Sequence, residues 1–340
     1  MGYNNLAMKA LVVSIVLGVV AAGVELPGNK KVARQVPAIY VFGDSTMDVG
    51  NNNYLPGNEV PRADHPYYGV DLPGSGKPTG RFSNGYNVAD FVGSGILDST
   101  NAGGNIPLWQ QVRLFESTKA EMEATVGPQA VSHLVSKSFF LFGIGSNDFF
   151  AFTRELAKQN RSATQSDVAA LYGSLVSNYS ASITELYTLG ARKFGIINVG
   201  PVGCVPRVRV LNATGGCVDA LNQLAAGFDV ALSSKLAELA AKLPGMAYSV
   251  ADSFGYASGT DPKAAGFVSA DSACCGGGRL GADADCQLGA TLCADRDRFL
   301  FWDRVHPSQR SAMLSAQAFY DGPAHFTSPI TFKQLAQHNI

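Results

Sequence analysis

The run Ala38-Ile39-Tyr40-Val41-Phe42, passing straight into Gly43-Asp44-Ser45, constrains this chain more than any other stretch. Consecutive apolar residues, mostly β-branched or aromatic and without polar alternation, read as a strand buried on both faces of a parallel sheet. Gly43 ends the strand, so Asp44 and Ser45 fall beyond its carboxyl end, where open parallel sheets deliver side chains into a ligand crevice. Comparable apolar runs recur at 138–144, 194–199 and 246–251. Between them lie helical patterns at 108–126, closed by Gly127-Pro128, at 167–189, closed by Gly190, and at 218–243, closed by Pro244-Gly245. A further helix is expected at 308–320, and a helical pattern starts at 87–92. The stripe Leu171, Leu175, Tyr179, Ile183 and Leu186 has the spacing of one helix face. Strands separated by helices of this length imply βαβ units, and hence an α/β fold: a three-layer α/β/α sandwich around a mainly parallel, flavodoxin-like sheet.

Placed at such a strand end, Ser45 is a candidate nucleophile. A serine hydroxyl is weak at neutral pH and needs a base, a group that orients the base, and donors for the oxyanion. Near the C-terminus, Trp302-Asp303-Arg304-Val305-His306-Pro307 sets an Asp three residues before a His, close enough in a turn to share one rim of a cleft. Asp303 is expected to orient His306, and His306 to deprotonate Ser45. Gly143-Ile144-Gly145-Ser146-Asn147-Asp148 follows the second apolar run, and the Asn147 amide is a candidate oxyanion donor. Against this stands the plainer reading, in which Ser45 caps a helix and Asn147 shapes a turn.

In their order along the chain these motifs resemble those of the plant GDSL esterase/lipases of the SGNH hydrolase superfamily. The resemblance rests on Phe42-Gly-Asp-Ser45 with Asp48 and Gly50 to Asn53, on Gly80-Arg-Phe-Ser-Asn-Gly85, on Gly143 to Asp148, and on Trp302-Asp303 with His306-Pro307. It implies Ser45, Asp303 and His306 as a catalytic triad, Asn147 as oxyanion donor, and the same three-layer fold. Gly93 matches the family's oxyanion glycine, with Gly85 as a fallback and Gly95 as a weaker one. The chain departs from the family in one place. Nothing between Phe42 and Ser138 reads as a strand, a gap nearly twice the usual spacing, and Val92 runs straight into Gly93 where family members carry an additional apolar strand. A shortened form, lacking an internal segment after Val92, is therefore expected.

With 340 residues, 46% of them hydrophobic and 16% charged, the chain has the composition of an ordinary globular enzyme. The net charge of -1 leaves no basic field for nucleic acid, and substrate steering by overall charge is not indicated. Residues 1–23 read as a secretory signal, with Lys9, an apolar run over 10–20 and small residues Ala21-Ala22-Gly23. Residues 24–37 read as a polar linker and 38–340 as a single domain, with no membrane span in the mature form. Six cysteines behind such a leader suggest disulfides, with Cys204 paired to Cys217 and Cys274, Cys275, Cys286 and Cys293 paired among themselves. A zinc cluster is disfavoured by the adjacent Cys274-Cys275 pair. Sequons at Asn160, Asn178 and Asn212 suit the secretory pathway. The segment 51–85, rich in Asn, Gly and Pro, reads as a surface loop whose Tyr54, Pro66, Tyr67 and Tyr68 either face substrate or pack the loop, the second being favoured. No Gly-x-Ser-x-Gly elbow occurs, which disfavours the α/β-hydrolase lipase fold.

The function expected from this reading is a secreted, extracellular or cell-wall serine esterase/lipase. It would act on small-molecule or polymer-bound carboxylic esters through an acyl-enzyme, without cofactor or metal. No lid helix is apparent, so short-acyl or acetylated substrates suit it at least as well as triglycerides. Acyl transfer to an alcohol, and ligand binding without catalysis, are the alternative readings.

Overall fold

The computed structural model describes residues 36–74, 76–87 and 106–339. Strands β1 (Ile39–Gly43), β2 (Phe139–Gly143), β3 (Lys193–Ile197) and β4 (Ala247–Ala251) lie side by side in that order and run parallel. A two-residue strand, Thr327–Ser328, adds antiparallel to β4. The connections are helical: α1 (Leu108–Val126), α2 (Pro128–Lys137), α3 (Ser146–Lys158), α4 (Gln165–Thr188) and α5 (Asp219–Lys242), then α6 (Ser253–Gly259), α7 (Gln309–Asp321) and α8 (Phe332–Gln337).

Side chains of a strand alternate between faces, and the two faces of this sheet are filled differently. Tyr40 and Phe42 of β1, Phe140 and Phe142 of β2, and Phe194 and Ile196 of β3 point to the side where α1, α4 and α5 supply Phe115, Leu175, Tyr179, Phe228 and Leu232. Phe139, Leu141 and Ile197 point the other way, against Phe319 of α7 and Phe332 and Leu335 of α8. The result is the expected three layers. Gly195 belongs to this second face, where a Cβ would stand 2.3 Å from the Phe139 ring, so the small residue lets the ring lie flat on β3.

Most anticipated elements appear within a residue or two of their expected bounds, and four helices appear that the pattern had not shown, α2, α3, α6 and α8. In α2, Pro128 is the first helical residue rather than the end of the preceding helix; its missing N–H costs nothing there and its fixed φ suits the position. In α3, Gly145 takes φ 136°, a conformation closed to residues with a side chain, and turns the chain from β2 into the helix. Thr164 opens α4 through a capping box with Asp167.

Among the described residues no strand lies between Gly43 and Phe139, and β1 forms one edge of the sheet. At that edge the Gln111 side chain takes the place of a neighbouring strand. Its Oε1 accepts from Gly43 N–H at 3.0 Å and its Nε2 donates to Gly43 C=O at 3.1 Å. The Val92-Gly93 junction, with Gly93 and Gly95, lies outside the described residues, as do residues 1–23, expected to be a leader, and most of the expected linker 24–37.

Three disulfides form: Cys204–Cys217 as expected and, within the group of four left open, Cys274–Cys293 and Cys275–Cys286. The last two brace a second, smaller core in which Trp302 is fully buried against Tyr68, Phe82 and the cystines. The segment 51–85 is thus more than a surface loop. It has little regular structure, yet Ala63, Tyr68, Phe82 and Asn84 are buried, because the loop folds under the segment that carries Asp303 and His306.

One buried acid bears on stability. Asp229 of α5 accepts Val199 N–H at 3.0 Å with Oδ1, while Oδ2 has no partner among the described residues. Burial pushes its carboxyl up to about 8. The folded chain therefore keeps a proton that the unfolded chain releases near pH 4, so stability falls as pH rises from about 4 to about 8. Asp229→Asn keeps a carbonyl for Val199 and removes the titration. Its denaturation free energy is expected to vary less between pH 5 and 8 than that of the wild type, by about 2 to 4 kcal/mol. Chemical denaturation at the two pH values checks this.

Candidate active site

Ser45 begins a short 3-10 turn, Ser45–Met47, directly after β1. Asp44 caps that turn: its Oδ1 accepts Thr46 N–H at 3.0 Å and Thr46 Oγ1–H at 2.7 Å. The turn sits tightly on the sheet, since Met47 fills the space that a side chain at Gly143 would need; a Cβ there would come within 1.9 Å of Met47 Cε. Asp48 is fully buried and its Oδ1 accepts the backbone N–H groups of Gly50 and Asn51, each at 2.7 Å. These local bonds aim the Ser45 hydroxyl away from the sheet, beyond the strand ends.

From the other end of the chain, the segment 299–308 arrives held by main-chain bonds. Trp302 C=O accepts Cys275 N–H at 2.8 Å, Trp302 N–H donates to His306 C=O at 2.9 Å, and Arg304 C=O accepts Arg207 N–H at 2.8 Å. Within it, Asp303 Oδ1 accepts the N–H groups of Val305 and His306 at 2.9 and 2.8 Å, which closes the turn on its own carboxylate. His306 Nδ1 lies 2.7 Å from Asp303 Oδ2, and Nε2 lies 2.8 Å from Ser45 Oγ. Ser45, His306 and Asp303 therefore form one hydrogen-bonded chain across 261 residues of sequence. The Phe82 ring packs on the imidazole with centroids 4.8 Å apart.

Electrostatics favour the charge pattern this chain needs. Burial alone would push the Asp303 carboxyl up, but the neighbouring imidazole and the two backbone N–H donors outweigh it and hold the carboxyl below its ordinary value. Tyr68, for which sequence reasoning favoured loop packing over a substrate-facing role, is buried and donates its hydroxyl to Asp303 Oδ2 at 2.8 Å. Burial first, then the Asp303 charge, raise the Tyr68 phenol well above its usual range, so it remains a donor. Tyr68→Phe removes a charge-assisted bond and leaves Asp303 less well held. We expect a stability loss of about 1 to 2 kcal/mol, read by denaturant titration, with a fall in kcat larger than any change in KM.

Asn147 is the second residue of α3 and lines both cavities that meet at Ser45 and His306. Neither the Asn147 amide nor Ser45 N–H is taken by a partner among the described residues, so both are open to a ligand oxygen. Gly93, the expected third donor, lies outside the described residues. Gly85 is buried, with its N–H on Ser83 Oγ at 3.3 Å. Among the described residues no group of three or more His, Cys, Asp or Glu is arranged to hold a metal ion.

The two cavities differ in chemistry. The first, about 260 Å³, runs between α6 and α7 and is walled by Ile144, Phe150, Val202, Phe301, Phe267 and Leu314. The second, about 610 Å³, is lined largely by polar and charged groups from the 51–85 loop, α3 and the 285–306 region.

Fold and site together define a class: α/β proteins in which a Ser-His-Asp chain lies beyond the carboxyl ends of a parallel sheet, with the serine directly after the first strand. A sequence model of the GDSL-like lipase/acylhydrolase family matches residues 39–319. The chain belongs to this family, and with it to the carboxylic ester hydrolases. Among its relatives are Arabidopsis thaliana proteins described as GDSL esterase/lipases. One is 33% identical, the match covering 88% of this chain and 90% of that protein. Two more are 32% and 30% identical, over 95% and 85% of this chain and 93% and 90% of theirs. Among the described residues no helix is long and apolar enough to cross a membrane.

Proposed function

We propose that the chain is a secreted serine esterase that hydrolyses carboxylic esters through an acyl-enzyme, with the hydrocarbon of the acyl group in the cavity between α6 and α7. The observation that carries this reading is the continuous chain from Asp303 through His306 to the Ser45 hydroxyl at 2.7 and 2.8 Å. In the reaction, His306 Nε2 takes the Ser45 proton as Oγ attacks the ester carbonyl. The tetrahedral oxyanion is met by Ser45 N–H and the Asn147 amide, and the imidazolium is stabilised by Asp303. His306 then gives the proton to the departing alcohol. Water enters, is deprotonated by the same imidazole, and releases the acid. No step calls for a group the chain does not carry.

Apolar walls make the first cavity the place for an acyl chain, because each buried methylene contributes about 0.8 kcal/mol. Secretion is supported by three disulfides, which persist in oxidising compartments. A fluorophosphonate probe is expected to label Ser45 in the folded chain, and an ester panel from acetyl to long acyl to show an optimum beyond acetyl. Absence of labelling would instead favour a ligand-binding relative without catalysis, and ester formation outrunning hydrolysis with an added alcohol would favour acyl transfer.

A further inference from the structure

We infer that the preferred substrates are esters whose alcohol portion carries an anionic group, a carboxylate or a phosphate, bound by Arg154 and Arg207 in the second cavity. The inference deepens the esterase reading and rests on it. That cavity shares Ser45, Asn147 and His306 with the apolar one, so an ester held at Ser45 with its acyl chain in the apolar cavity extends its alcohol portion into the other. This is also the side on which Asp303 and Arg304 lie, beside the imidazole that must protonate the leaving oxygen.

The charge around this cavity does not balance. Its walls include Arg62, Arg154, Arg207 and Arg304 against two carboxylates, Asp285 and Asp303. Asp303 is engaged by His306, and Asp285 is paired with Arg304 at 2.7 Å. Arg62 is turned back into its own loop, donating to the carbonyls of Leu55 and Gly57. Arg154 of α3 and Arg207, the second residue of the helical turn Pro206–Arg209, are left without an ion-pair partner among the described residues. They also repel: Arg207 is half-buried, and after burial itself the charges of Arg304 and Arg154 make its protonated form less favourable, against a smaller opposing effect from Asp285. Guanidiniums drawn together from three separate elements at the mouth of a nucleophile's cleft are stabilised when an anion joins them, and arginine suits planar carboxylates and phosphates alike. Overall charge hides this arrangement, because the net charge of -1 averages over the whole surface.

The test compares matched esters on the full chain. One pair is the octanoyl ester of a nitrophenol with and without a ring carboxylate; the other is octanoyl glycerol with and without a terminal phosphate. We expect kcat/KM for the charged member to exceed that of the neutral one by about tenfold or more at low ionic strength. The ratio should shrink as salt shortens the Debye length and fall toward one in Arg154→Gln and Arg207→Gln together. The pair with the larger ratio tells carboxylate from phosphate. Ratios near one in both pairs, or ratios that survive the double replacement, overturn the inference. Turnover of the neutral esters reports the esterase reading by itself; if they and the fluorophosphonate both leave Ser45 untouched, that reading fails and this one falls with it.

Discussion

Ser45→Ala is expected to lower kcat on an octanoyl ester by roughly 10⁴- to 10⁶-fold, with the fold intact. The hydroxyl is the atom that would bond to the acyl carbon, so its loss removes the covalent route altogether, and what survives is hydrolysis by water in a cleft that still offers Asn147. Little else changes. Ser45 is only half-buried, and the turn it begins is held by Asp44 on Thr46 rather than by the serine side chain. Denaturation curves of the two proteins should overlay within about 0.5 kcal/mol, and fluorophosphonate labelling should vanish. Retained turnover at more than about a hundredth of the wild-type rate would mean that another nucleophile does the work.

Asp303→Asn is expected to cost about 10⁴-fold in kcat by a different route. Two backbone N–H groups, from Val305 and His306, point at Oδ1, and an asparagine will keep its carbonyl there. That places the amide NH₂ where Oδ2 stands, facing His306 Nδ1 and the Tyr68 hydroxyl. An NH₂ donates, so the imidazole must present Nδ1 as acceptor and carry its proton on Nε2, toward Ser45 Oγ. In that tautomer it cannot accept the serine proton. Tyr68 loses its acceptor at the same time, so some stability goes with the activity. Kinetics on a short ester, with KM nearly unchanged, would mark a fault in proton transfer; a fall in kcat of less than tenfold would show that Asp303 does not set the tautomer.

Both variants concern residues that the amino-acid sequence marks out. Ser45 follows an unbroken apolar run, and Asp303 stands three residues before His306 in a tight segment, so the chemistry of each is visible within a short window. The helix patterns at 108–126 and 167–189 were legible for the same reason: one face repeats every three to four residues, and Gly127 and Gly190 mark the ends. Helix α2 was missed because Pro128 signals both a stop and a start, and only the chain path says which. Helix α3 is not legible because its buried face is marked by only two apolar residues seven positions apart, Phe149 and Leu156, with the acid Asp148 buried beside the first.

Local residue order by itself determined the strand class, the long covering helices at 108–126, 167–189 and 218–243, the Cys204–Cys217 pair and the residues with the means to form a catalytic chain, because each depends on neighbours or on periodicity over a few turns. Tertiary structure alone decided that Tyr68 donates to Asp303 from 235 positions away, that Gln111 seals the edge of β1, and that Arg154, Arg207 and Arg304 crowd one cavity. Contacts of this kind arise only when the parallel sheet closes and brings the loops at its carboxyl end into one rim. No periodicity along the chain encodes which of those loops will face each other.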